Sequence, residues 1–222
     1  MEIIHFKEIE IIFQKNMNNN ILSRCEALAK NFKEIPTERK LLLEKLSGYL
    51  KAQINAGKPL QLNYICTHNS RRSHLGQVWA AVAAAYYKVE NVSTFSGGTE
   101  ATAFNINAIN ALSRAGFKIE KTSEDSNPQY KVWYSENDYV SCFSKTFDHT
   151  ANPTSDFVAV MTCSDAEDNC PFIPGCDLRI GTTYYDPKAF DNSPLQDEKY
   201  SERSNQIAME CLYVFFKIEK EN

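Results

Sequence analysis

The chain has 222 residues, 43% of them hydrophobic and 23% charged, with a formal net charge of −4. This is an ordinary globular composition that lacks the basic footprint of a nucleic-acid binder and disfavours anionic membrane surfaces, and no apolar run approaches the ~20 residues of a spanning helix. The opening MEIIHFKEIE carries acids where a secretory signal needs a basic start and a long apolar core, which predicts a cytoplasmic protein whose seven cysteines are reduced thiols.

The length fits one domain plus an appendage. Residues 1–59 read as a helical hairpin extension. Ile21, Leu22, Cys25, Leu28 and Phe32 mark one amphipathic stretch, Glu34-Ile35-Pro36-Thr37 breaks it, and Leu43, Leu46, Leu50 and Ile54 mark a second that Gly57-Lys58-Pro59 stops. The hairpin is expected to pack on the main domain or on a second subunit, the latter giving a homodimer through these helices. Residues 60–222 read as an α/β domain. Strand 61–66 leads to helix 71–88, strand 92–96 leads through Gly97-Gly98 to helix 104–115, strands 156–162 and 178–182 follow, and a helix over 197–219 ends the pattern. The alternation predicts a three-layer α/β fold, a four-stranded parallel sheet with helices on both faces, and ligands at the C-terminal ends of its strands. Residues 117–150 interrupt it. Lys131 to Tyr134 and Tyr139 to Phe143, around Ser135-Glu136-Asn137-Asp138, predict a β-hairpin insertion. Cys25 and Cys211 fall at apolar helical positions and Cys142 in a strand-like run, so all three read as small core residues.

The most informative stretch is Cys66-Thr67-His68-Asn69-Ser70-Arg71-Arg72-Ser73, between the apolar run Leu62–Ile65 and a helical pattern of Leu75, Val78, Trp79, Val82 and Tyr86. A strand–loop–helix unit aims the helix N-terminus at the loop, where unpaired N–H groups and the helix dipole favour an anion. The same field favours the thiolate, the reactive form of cysteine, and a guanidinium grips an oxyanion through paired hydrogen bonds. Residues 67–73 are therefore candidate oxyanion-binding positions around a Cys66 nucleophile. The bland alternative, a structural cysteine beside a solvated arginine pair, fits poorly with so polar a run after a buried strand. His68 and His74 flank the loop and read as helix-end or surface histidines rather than general bases.

A second constellation, Cys163-Ser164-Asp165-Ala166-Glu167-Asp168-Asn169-Cys170-Pro171, follows another apolar strand and should emerge near the first. On a helix its two cysteines are separated by about 10 Å of rise, beyond the ~7 Å Cα separation that a disulfide tolerates. Oxidation would therefore need the segment to unwind, as in a redox switch; two unrelated structural thiols are the other reading. A metal site with Cys176 fits no usual zinc spacing. The third feature is Tyr184-Tyr185-Asp186-Pro187. A carboxyl beside two aromatic rings can serve as a proton donor, with Tyr184 and Tyr185 lining the pocket mouth; a simple Asp-Pro turn is the alternative.

Taken together, the Cys66–Ser73 loop, the later Asp-Pro and the strand–helix order resemble the low-molecular-weight protein tyrosine phosphatases. The segment C-S-D-A-E-D-N-C-P, and Phe95-Ser96-Gly97-Gly98-Thr99-Glu100 followed by Asn105 and Ala108-Ile109, are similar to the thioredoxin-coupled arsenate reductase branch. The resemblance covers residues 60–116 and 155–219. It implies Cys66 as nucleophile, Arg72 with the loop amides on the oxyanion, Asn69 holding the loop, Ser73 hydrogen-bonded to the thiolate and Asp186 protonating the leaving oxygen. In the reductase branch it further implies that Cys163 attacks the Cys66–arsenic adduct, that Cys170 resolves the Cys66–Cys163 disulfide, and that thioredoxin or a similar thiol reductant restores the thiols. His68 departs from the usual glycine, Arg71 from a frequent cysteine, and Gln77 from a glutamate that some reductases link to a potassium site. No metal or cofactor is carried over. Arsenate reduction is the leading expectation. Phosphomonoester hydrolysis through Cys66, Arg72 and Asp186 is the second, and a non-catalytic oxyanion-binding or redox-sensing module the third.

Overall fold

A computed structural model describes residues 17–169 and 172–219. The extension forms two helices. α1 (Asn19–Ala29) starts at Asn18, whose side chain accepts the Asn20 N–H at 2.9 Å, satisfying one donor that the helix start leaves unpaired. A 3-10 turn (Phe32–Glu34) and Pro36 separate it from α2 (Thr37–Asn55), since proline has no N–H to contribute to a helix interior. The main domain then runs β1 (Leu60–Cys66), α3 (Arg72–Tyr86), β2 (Val92–Gly98), α4 (Ile106–Arg114), β3 (Lys118–Lys121), β4 (Tyr130–Trp133), β5 (Tyr139–Cys142), β6 (Phe157–Met161), α5 (Ser164–Asn169), β7 (Cys176–Gly181), a 3-10 turn (Pro187–Phe190) and α6 (Gln196–Glu219).

The main sheet has the order β2-β1-β6-β7 and is parallel throughout, the predicted four-stranded α/β sheet. Side chains alternate across its plane. Leu62 and Tyr64 of β1, Val158 and Val160 of β6 and Ile180 of β7 enter the larger core with residues of α1, α2, α3, α4 and α6. Ile65, Ala159 and Met161 enter a smaller cluster on the opposite face, with Cys163, Ala166, Ile173 and Phe147. The second helical layer is thus one short helix, α5, and irregular chain. Large side chains such as Trp79, Leu62 and Phe157 are wholly buried, each worth roughly 1.5–3 kcal/mol for aliphatic or Phe-sized groups relative to exposure.

The extension packs on the main domain, through Ile21, Cys25, Leu43, Leu46 and Leu50, in the same core as Ile207, Cys211 and Val214 of α6. An ion pair fixes it: Arg39 of α2 donates to the buried Glu210 of α6 at 2.8 and 2.9 Å. Residues 1–16 of the predicted extension lie outside the described residues.

The insertion holds the expected hairpin, β4 and β5, and adds a third strand to it. β3, β4 and β5 form a three-stranded antiparallel sheet. Lys118–Lys121 escaped notice because it offers a single apolar side chain, Ile119, among charges; pairing with β4 makes it a strand. Val132, Val140 and Cys142 sink into the main core. The chain then returns to the parallel sheet, where Gly98 N–H donates to Lys145 O and Phe147 N–H to Gly98 O, both at 2.9 Å.

Candidate active site

β1 ends at Cys66 and α3 begins at Arg72, so the loop between them lies at the C-terminal edge of the sheet. Cys66 Sγ is buried and sits 3.1 Å from Ser73 Oγ in the first turn of α3. Ser73 Oγ also accepts from Asn69 Nδ2 at 2.9 Å, while Asn69 Oδ1 accepts the Lys145 N–H at 2.8 Å. Asn69 takes a left-handed backbone (φ 43°), a conformation that asparagine tolerates better than most residues. Its amide therefore ties the loop to the helix on one side and to the insertion on the other. The opposite wall of the loop is the chain just after β2: Glu100 N–H and Thr99 Oγ1 donate to Thr67 O at 2.9 and 3.2 Å. Gly98 permits this approach, because a Cβ there would lie 2.6 Å from Thr67 O and 2.7 Å from Asn69 N. The backbone N–H groups of Thr67 to Arg71 hydrogen-bond no other described residue, which leaves them as donors to a ligand.

Arg72 is buried. Its Nη1 donates to Tyr184 O at 2.8 Å and its Nη2 to Asp186 Oδ2 at 2.6 Å. Its Nε is buried with no hydrogen-bond partner among the described residues, a donor left beside the loop. Asp186 Oδ1 accepts the Lys188 N–H at 3.0 Å and so caps the 3-10 turn, which fixes the carboxyl across from the loop. Cys163, just before α5, is buried in the same cluster as Cys66, and Thr67 Oγ1 lies 3.4 Å from its Sγ. The Ala166 N–H also approaches this sulfur, at 3.4 Å. Arg179 of β7 holds α5 in place, through Glu167 Oε1 at 2.8 Å and the Glu167 carbonyl.

No family model matches the chain. Among curated proteins, arsenate reductase 2 of Staphylococcus haemolyticus is 30% identical over 111 residues, which span 50% of this chain and 66% of that relative. The arsenate reductase of Bacillus licheniformis is 27% identical over 139 residues, 62% of this chain and 80% of the relative. Over half of its length or more the chain is thus similar to curated arsenate reductases, and it spans just under two thirds of the first of these relatives. Among solved structures, a low-molecular-weight phosphotyrosine phosphatase from Vibrio cholerae aligns at 14% identity with a TM-score of 0.46, covering 73% of this chain and 99% of that one.

The structure gathers Cys66, Asn69, Arg72, Ser73, Cys163 and Asp186 at one sheet edge. Three residues of the loop, His68, Ser70 and Arg71, have their side chains engaged elsewhere, which leaves their backbone N–H groups as what they offer an oxyanion. Arg71 Nε donates to Tyr200 OH at 2.9 Å, with Asp191 3.8 Å away, and His68 pairs with Glu100 at 2.9 Å on the surface. Ser70 Oγ donates to Ala103 O at 2.7 Å. Tyr184 is corrected: it is not at a pocket mouth but buried, its OH donating to Glu210 at 2.8 Å and its ring under Arg39. Strand-like alternation explains this, since Thr182 and Tyr184 point inward and Tyr185 outward, 86% exposed. His74 is no surface group. It is fully buried, stacked on Phe104 with ring centroids 4.1 Å apart and with Nδ1 3.1 Å from Ser96 Oγ. Cys170 and Pro171 lie outside the described residues.

Two contributors were missed by sequence reasoning. Lys145 braces Asn69 through its backbone, and Glu210 holds Tyr184, whose carbonyl holds Arg72. No local signal marks either one, because each acts on residues far along the chain.

Proposed function

We propose that the chain reduces arsenate to arsenite by cysteine-dependent oxyanion chemistry. The Cys66 thiolate attacks arsenic(V) and displaces one oxygen, which leaves as water on taking a proton from Asp186; Arg72 and the loop amides hold the remaining oxygens. The Cys163 thiolate then attacks Cys66 Sγ. A sulfur–sulfur bond forms, the sulfur–arsenic bond breaks, and its electron pair stays on arsenic, which departs as arsenite, As(III). Cys170 attacks Cys163 and releases Cys66, and an external dithiol of the thioredoxin type returns the Cys163–Cys170 disulfide to thiols with two electrons. The observation that carries this reading is the second buried thiol beside the loop: Cys163 shares a cluster with Cys66 and lies 3.4 Å from the Thr67 hydroxyl. Hydrolysis alone has no use for it.

A second reading is phosphomonoester hydrolysis, in which water rather than Cys163 discharges the Cys66 adduct. The Arg72–Asp186 pair at 2.6 Å serves it equally, since an acid beside the oxyanion grip is also what an ester leaving group needs. Serine variants separate the two. Arsenate-dependent oxidation of a thioredoxin system and cleavage of a chromogenic phosphate ester are measured in parallel. Cys66→Ser should abolish both activities, while Cys163→Ser and Cys170→Ser should lower arsenate turnover at least a hundredfold and leave ester cleavage within about threefold. Unchanged arsenate turnover in Cys163→Ser would falsify the relay.

A further inference from the structure

The insertion builds a second concavity that the chemistry above does not use. A cavity of about 360 Å³ lies between α3, β2 and the β4–β5 hairpin, bordered by Ser93, Tyr134, Tyr139, Phe143 and Lys145. This is at the small end of the range for ligand pockets. Lys145 is only 4% exposed. Among the described residues its Nζ has no hydrogen bond and no ion pair; it lies over the Phe143 ring, 4.5 Å from the centroid. No carboxylate of the described residues lines the cavity. The titratable groups that bear on Lys145 are His74 of α3, kept neutral by burial, and the Cys142 thiol of β5, pushed up to about 12 by burial. Burial brings the Lys145 ammonium down to about 8, so most of it is still charged at pH 7. A buried, uncompensated ammonium is costly, and aromatic walls with one cation suit a flat apolar body ending in a negative group. Behind the lining, Lys131 Nζ lies 4.9 Å from the centroid of the Tyr139 ring.

We propose that this cavity binds a small organic carboxylate with an aromatic body, its carboxylate on Lys145, and that occupancy acts on the Cys66 loop. The connection is short. Lys145 N–H donates to Asn69 Oδ1 at 2.8 Å, Lys145 O accepts the Gly98 N–H at 2.9 Å, and Asn69 Nδ2 reaches Ser73 Oγ, which touches Cys66 Sγ. The site is separate from the oxyanion loop, so binding stands or falls independently of the reaction assigned to Cys66.

Benzoate is the probe, followed by calorimetry and by ligand-observed NMR on the full chain. It should bind one to one, benzamide at least tenfold more weakly, and neither saturating inorganic phosphate nor Cys66→Ser should change the benzoate affinity. Lys145→Met removes the buried charge without enlarging the cavity. It should fold with an unchanged or higher Tm and lose at least tenfold in benzoate affinity, and Ser93→Trp at the exposed rim should lose binding while Lys145 is intact. Saturating benzoate should shift KM or kcat of the wild type at least twofold and leave Lys145→Met unmoved. The proposal is overturned if benzoate fails to bind at millimolar concentration, if Lys145→Met binds it equally, if phosphate displaces it, or if the wild-type kinetics do not respond.

Discussion

Asn69, His74 and Arg72 show how single side chains carry the site. Asn69 spends both ends of its amide on fixing the loop, and Arg72 Nε has no partner among the described residues while Asp186 and the Tyr184 carbonyl hold its two Nη groups. His74 lies just under them, and burial, reinforced by the Lys145 charge, holds its pKa well below the ordinary 6.5. A depressed folded-state value means that the unfolded chain binds the proton more tightly. The stability this ring contributes is therefore intact above pH 6.5 and is lost as pH falls from there toward the folded value. Urea unfolding of wild type at pH 7.5 and 5.5 should show an acid loss larger by up to about 1.4 kcal/mol than that of His74→Gln, one pKa unit being worth that much. Equal losses would contradict a buried neutral His74. Cys66 and Arg72 were legible in the sequence as candidates, because a cysteine–arginine loop between a strand and a helix has local spacing, and Asp186 was legible as an Asp-Pro after a pair of tyrosines. The directions of Arg71 and Tyr184 were not, since each is set by a partner on another element, Tyr200 and Glu210 of α6.

Among the elements, the pairing of α2 with α6 bears most directly on the site. Arg39 donates to Glu210 and, at 3.0 Å, to the Thr182 carbonyl; Glu210 accepts Tyr184 OH, and the Tyr184 carbonyl accepts Arg72. The extension thus grips the strand-end segment that presents Asp186. Glu210 is 3% exposed, so Arg39→Met strands a buried carboxylate and should cost about 3–5 kcal/mol, whereas Arg39→Met with Glu210→Leu should recover most of that loss. Urea denaturation of the three proteins is the measurement, and a mild single variant with no recovery in the double would show that the ion pair is not what docks the extension. The helices of this pair were readable from their apolar spacing. Their ion pair was not, because 171 residues separate its members. In the same way β4 and β5 were visible as aromatic and β-branched runs, while β3 exists only through its partner.

At the scale of the whole molecule, the parallel sheet is what unites two distant cysteine segments. β1 and β6 are neighbours with registers running side by side, Ile65 against Met161, so Cys66, the last residue of β1, and Cys163, two residues past the end of β6, emerge together. Sequence order alone separates them by almost a hundred positions; strand–helix alternation, with its rule that ligands gather at the carboxyl ends, was enough to anticipate their meeting. The insertion was legible as an interruption but not as a wall of the active loop, since its contacts to Asn69 and Gly98 are made by backbone groups that carry no residue signature. If the two thiols form a relay, the covalent intermediate between them can be caught. Cys170→Ser is treated with arsenate, alkylated and mapped by peptide mass spectrometry. The relay predicts a Cys66–Cys163 disulfide formed with one equivalent of arsenite; arsenite released while both sulfurs remain alkylatable thiols would contradict it.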